Sequence, residues 1–188
     1  EGLHTDFANA EKLKDLVMYE SMNTEAGKMI TLDDYVKAMP ESQKEIYFIT
    51  GDKRESVASS PALEYFRSKG YDVLFMTDPI DDWVMQSMFQ YQKKNFKSIA
   101  KGDFEVEGAA ETLKAAQEFL KTALGDKVSE VRFSARLTDS PCCLITEGNA
   151  LSPHLERLFK AMHQEVPESK RILELNPKHP LIEGLFDI

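Results

Sequence analysis

The 188 residues carry a formal net charge of −9 with 42% hydrophobic and 10% aromatic content, enough apolar mass for a soluble chain to bury a real core. The acidic balance, with no long Lys/Arg cluster, excludes a nucleic-acid binder, and no apolar run approaches the roughly 20 residues of a membrane span. No charged-then-apolar leader opens the sequence, and the adjacent cysteines Cys142 and Cys143 lie in an apolar stretch that suits buried thiols in a reducing, cytoplasmic compartment.

The chain begins without an initiator Met and stops inside the amphipathic run Pro180 to Phe186, which reads as a piece of a longer protein. Phe7, Ala10, Leu13, Leu16 and Val17 trace one stripe, so an amphipathic helix is expected from about Asp6 to Ser21. Asn23 to Lys28 is a loop. Thr31-Leu32-Asp33-Asp34 is a capping box that opens a short helix through Met39, stopped by Pro40. Glu45 to Thr50 reads as a buried strand, Ser60-Pro61 to Gly70 as a helix, and Asp72 to Met76 as a second buried strand. That succession is a βαβ unit, whose strands should lie parallel. Phe96-Lys97-Ser98-Ile99 offers a third strand.

Between them stands Thr77-Asp78-Pro79-Ile80-Asp81-Asp82-Trp83, with the only tryptophan of the chain. Asp78 caps a helix there, Pro79 suits its first position, and Asp81 reaches back. Trp83, Met85, Met88 and Phe89 follow at helical spacing, a mixture that serves either a contact surface or plain core.

Asp103 to Gly108 is acidic, short and ends in glycine, and is read as a hinge between two units. Beyond it, Ala109 to Leu124 is a helix capped by Gly125. Val131, Phe133, Ala135 and Leu137 alternate with Glu130, Arg132, Ser134 and Arg136, the pattern of a strand with one wet face, and Cys142 to Thr146 is expected to pair back antiparallel. Ser152-Pro153 begins a helix with Leu151, Leu155, Leu158, Phe159 and Met162 on one face, before a strand at Ile172 to Leu175. The expected architecture is an α/β unit, a parallel βαβ sheet with helices on both faces, followed by an α+β unit of helices on an antiparallel three-stranded sheet.

Catalytic and metal-binding patterns are missing. There is no G-x-x-x-x-G-K-[ST] or G-x-G-x-x-G loop, no G-x-S-x-G elbow, and the four histidines lack ligand spacing. Fold analogy alone leaves one enzymatic alternative, a flavodoxin-like domain or small-molecule binder with its site at Thr50, Gly51, Thr77 and Asp78.

Asp6-Phe7-Ala8-Asn9, Thr31 to Val36, Ile46 to Gly51, Ser60-Pro61, Val73 to Asp82, Arg136-Leu137-Thr138-Asp139-Ser140-Pro141 and Leu173-Glu174-Leu175-Asn176-Pro177 occur in the order seen in the heat-shock protein 90 chaperones. The sequence resembles that family, above all its bacterial branch, along nearly its whole length. The resemblance implies that residues 1–102 correspond to the last part of the middle domain and 109–188 to a C-terminal domain lacking the final dimerisation helices, with a hinge at 103–108. ATP with magnesium would bind to an absent N-terminal domain, so this portion needs no cofactor or metal and would not hydrolyse ATP. The whole protein is expected to be a homodimer serving non-native client proteins together with the heat-shock protein 70 system. Client or co-chaperone contacts carry over to Asp82, Trp83 and Gln86, and to Leu151, Leu155, Leu158 and Phe159. Asp82 would favour basic clients, and both helices are expected to leave apolar groups open to water.

Overall fold

Three strands, the first two alternating their side chains between two apolar layers, organise the first half of the computed structural model, which describes residues 10–101, 114–134, 136–148, 150–164 and 169–186. These are β3 (Ile46–Thr50), β4 (Leu74–Met76) and β6 (Lys94–Ser98), with β3 central and parallel to both neighbours. Tyr47, Ile49 and Phe75 point to one layer, where they meet Val57, Leu63 and Phe66. Ile46, Phe48, Leu74 and Met76 point to the other, against Leu32, Tyr35, Val84 and Met88. Strands buried on both sides are what continuous apolar runs produce. The helices α2 (Leu32–Ala38) and α5 (Asp81–Ser87) therefore cover one face, and α3 (Arg54–Ala58) with α4 (Glu64–Lys69) the other. Thr31 caps α2 through its side chain, and Gly70, at φ 68, ends α4 in the left-handed region, which a residue without a Cβ adopts free of strain.

The sheet is larger and more mixed than expected: β1 (Met18–Ser21), β2 (Ile30–Thr31) and β5 (Gln90–Tyr91) extend it to six strands in the order β2-β1-β4-β3-β6-β5. The long helix expected over residues 6–21 is instead a short α1 (Ala10–Lys14) followed by β1 (Met18–Ser21), while residues before Ala10 lie outside the described ones. Pairing decides this. β1 joins β4 antiparallel through Glu20↔Phe75 and Ser21↔Leu74, giving backbone partners to an otherwise open edge, and it buries Tyr19 and Ser21. β2 (Ile30–Thr31) pairs with β1 in turn.

At the other edge β5 (Gln90–Tyr91) turns back into β6 through Gln92 and Lys93, at φ 45 and 65. A two-residue hairpin turn with both residues left-handed normally calls for Asn or Gly. Lys93→Gly is therefore expected to raise stability by roughly 0.5–1 kcal/mol in urea denaturation, since it relieves a strained, exposed position.

The second sheet comprises β7 (Val128–Phe133), β8 (Cys142–Thr146) and β9 (Arg171–Leu175), in the order β7-β9-β8. It is mixed rather than antiparallel. β9 takes the centre, parallel to β7 and antiparallel to β8, so the expected pairing of β8 onto β7 does not occur. The cause is two-sided burial: Ile172 joins the layer shared with the first sheet, while Leu173 and Leu175 join Val128, Val131 and Ile182 under α6 (Lys114–Leu124) and α8 (Pro180–Phe186). Cys143 is buried, its thiol pushed up to about 11 by burial, whereas Cys142 is exposed, so only one of the two thiols lies in the core.

Arg136, expected on a wet face, is only 1% exposed. Its Nε donates to Glu174 Oε2 at 2.6 Å and its Nη1 to the carbonyl of Ile99 at 3.2 Å. Arg132 and Ser134 also donate to Glu174, at 2.8 and 2.9 Å. Burial by itself would raise the Glu174 carboxyl, but these donors, Arg136 foremost, hold it below its usual range. The expected hinge at 103–108 lies outside the described residues. One apolar layer nevertheless runs from Tyr47 and Phe66 through Ile99 to Leu137, Ile145 and Ile172, joining the two sheets.

Candidate functional site

The last residues of β6 lead directly to the second sheet. Thr146 N donates to the Ala100 carbonyl at 2.9 Å, and Lys101 bridges Thr146 in parallel. This junction sets α5, at the end of β4, beside the helix that follows β8, α7 (Pro153–Ala161).

Each helix is fixed by its own start. Asp78 N donates to Asp81 Oδ2 and Ile80 N to Asp78 Oδ1, both at 3.0 Å, a reciprocal cap that starts the turn leading into α5. Val84 and Met88 anchor the inner side of α5 in the core, which turns Trp83, Gln86 and Phe89 away from it. Ser152 caps α7: its Oγ accepts from Leu155 N at 3.1 Å and donates to Asp82 Oδ2 at 2.9 Å. One hydroxyl thus ends a helix and ties it to its neighbour. About two turns further along α7, the Trp83 and Phe159 rings meet edge to face, with centroids 5.6 Å apart and planes at 71°. Arg157 pairs with Asp52, from the loop after β3, and Glu156 pairs with Arg171 of β9 at 3.1 Å.

Beside this contact runs a groove of about 540 Å3, lined by Phe48, Met85, Met88, Phe89 and Phe96 on the apolar side and by Asp82, Lys97 and Lys101 among the charged groups. Gln86, Leu151 and Leu155 also line it. Six of the seven residues expected to form the contact surface therefore gather at one seam, while the side chain of Leu158 lies outside the described ones.

Their exposure departs from expectation. Leu155 is only 4% exposed and Asp82 8%, whereas Trp83, Leu151 and Phe159 are half-buried and Gln86 is open. Leu155 is thus core to α7, and its removal would first be felt as a cavity. Asp82 accepts from Ser152 with one oxygen, and Lys97 and Lys101 line the same groove. Sequence reasoning assigned no role here to Phe89, at 69% exposure the most open apolar group of the groove, nor to Phe96, Lys97 and Lys101. Phe89 is visible as the last member of the Trp83 run; Phe96 and Lys97 carry only a strand signal, and Lys101 none.

The alternative site at Thr50, Gly51, Thr77 and Asp78 gains no support. A Cβ on Gly51 would meet Val57 Cγ1 at 2.5 Å, so the glycine serves packing, and the Asp78 carboxylate is committed to its cap. Among the described residues no group of three or more His, Cys, Asp or Glu is placed to hold a metal, and no helix is long and apolar enough to cross a membrane.

Two mixed sheets joined by one apolar layer, with an amphipathic helix beside their junction, define a mixed α/β fold. The Hsp90 protein family model matches residues 1–188, and the chain belongs to that family. It is 50% identical over 203 residues to the chaperone protein HtpG of Geobacter metallireducens, covering 100% of this chain and 31% of that protein. It is 48% identical to HtpG of Geobacter sulfurreducens over 97% of the chain and 30% of the relative, and 43% identical to HtpG of Mycobacterium avium over 98% and 30%. The chain thus spans about a third of the length of the curated relatives it matches.

Proposed function

We propose that the chain is the client-binding and interdomain portion of an ATP-dependent molecular chaperone, in which residues 1–102 are the end of a middle domain and 109–188 a C-terminal domain, hinged at 103–108. ATP and magnesium are bound and ATP is hydrolysed elsewhere in the whole protein. Its partners are non-native polypeptides and the heat-shock protein 70 system, and it works as a homodimer in the cytoplasm. The observation that carries this reading is the seam: a single tryptophan and Phe159 in edge contact, with the exposed Phe89 and a groove of about 540 Å3 beside them. Half-buried aromatics at the rim of a mixed apolar and charged groove suit weak binding of many sequences.

Trp83→Ala is expected to weaken binding of a permanently unfolded polypeptide about 10-fold, the effect of one aromatic anchor. Isothermal titration against the reduced, alkylated polypeptide measures it, with thermal melting as the check on folding. Unchanged affinity in a folded variant contradicts the reading. Asp82, Gln86, Leu151, Leu155, Leu158 and Phe159 complete the proposed surface, Leu155 by holding α7 in place.

A further inference from the structure

The two elements of the proposed client surface are occupied by each other. Phe159 packs edge to face with Trp83, Ser152 takes up an oxygen of Asp82, and Arg157 binds Asp52 across the same junction. From this we infer that the seam is self-closed: α7 is an internal occupant of the α5 face, and a client gains Trp83 by displacing Phe159. The inference rests on the client-binding reading and adds a regulatory device to the same site.

The contacts differ in strength in a way that suits a helix that swings rather than detaches. At its start and on its body side α7 is held by the Ser152 hydrogen bond to the buried Asp82, by the buried Leu155 and by Glu156 paired with Arg171, all well covered. Toward the C-terminal half of α7 the Arg157–Asp52 pair, made with the loop after β3, is solvated at both ends, with side chains 62% and 41% exposed, which makes it a weak and salt-sensitive clasp. Trp83 and Phe159 are only half-buried. Beyond the helix, Met162 is exposed and His163 closes the C-terminus at φ 56, with Gln164 N donating back to the Phe159 carbonyl at 3.0 Å. A clasp of two weak contacts over a firm pivot has a measurable open fraction, and a ligand that needs the open state is weakened in proportion to the closed fraction.

Neither Asp52 nor Arg157 belongs to the proposed client surface, so the clasp is altered without touching the binding groups. Asp52→Arg sets like charges against each other; the double variant Asp52→Arg with Arg157→Asp restores the pair in reverse. Trp83, the only tryptophan, reports opening directly by its emission. In the single variant we expect red-shifted emission without client and at least 3-fold tighter binding of a tryptophan-free, reduced and alkylated polypeptide; in the double variant both return to their starting values. Arg157→Gln, which removes the pair without repulsion, should move both in the same direction by less. Emission that does not move, or emission that moves while affinity stays level or falls, overturns the self-closed seam. A folded Trp83→Ala variant with unchanged affinity overturns the client-binding reading itself, so the two failures are distinct.

Discussion

Replacing Glu174 by Ala is expected to cost about 3–5 kcal/mol, the loss that follows when a buried charge keeps its place but loses its partner. Arg136 is 1% exposed and sits between the sheets, donating to Glu174 from Nε and to the Ile99 carbonyl from Nη1. Without the carboxylate the guanidinium remains in a site with too little water to solvate it, and Arg132 and Ser134 lose an acceptor too. A drop in melting temperature on the order of 10 °C is expected by calorimetry. Glu174→Gln, which keeps an acceptor but removes the charge, should lose less. The sign of the pH dependence follows from the lowered Glu174 value: its contribution is complete above the unfolded value of about 4.5 and is lost as pH falls through the folded one. Wild-type stability should therefore decline on acidification below about pH 4.5, and the Glu174→Ala variant should decline less steeply there.

The second large effect is expected at Glu64, in the first turn of α4. Its carboxylate accepts three successive backbone N–H groups from the loop before β8: Thr138 at 2.6 Å, Asp139 at 2.9 Å and Ser140 at 3.1 Å. Consecutive N–H groups aimed at one point form an anion-binding nest, here filled from within the chain. Burial alone would raise this carboxyl, but the Ser140, Asp139 and Thr138 donors hold it below its ordinary value. Glu64→Ala is expected to cost about 2 kcal/mol, because water replaces the carboxylate only where the loop is open. The loop also carries Leu137 into the apolar layer shared by both sheets, so the variant should speed amide exchange at Leu137 as well as at Thr138 to Ser140. The sign matches that of Glu174: the contribution is present at neutral pH and is lost as acid protonates the carboxylate. A variant that melts like wild type at pH 7 contradicts the role given to Glu64.

What could be read from the sequence was what neighbouring residues decide. The parallel pair at Ile46–Thr50 and Leu74–Met76 announced itself through two continuous apolar runs, and the Thr31 and Asp78 caps through residues three positions apart. Features set by distant partners were hidden. Arg136 looked like a wet-face residue because Glu174, which makes its burial tolerable, lies 38 positions away. β1 looked like the end of a helix because its strand character comes from β4, and β9 gave no sign that it would separate β7 from β8. The site divides in the same way. Trp83 and the Leu151 to Phe159 face were each visible as amphipathic runs, but their contact was not, since the Asp82 to Ser152 tie closes a span of 70 residues. Periodicity shows that a helix has an apolar face without showing which groups cover it. Leu155 proved to be sealed in, while Phe89 stayed open.

The most direct measurement of the proposed seam places a photo-crosslinking amino acid at Gln86, at Phe89 or at Phe119, an equally exposed aromatic position on α6 remote from the groove. Irradiation with an unfolded polypeptide should give adducts from positions 86 and 89 and little from 119. Adducts from 119 with none from 86 or 89 would contradict a client surface between α5 and α7.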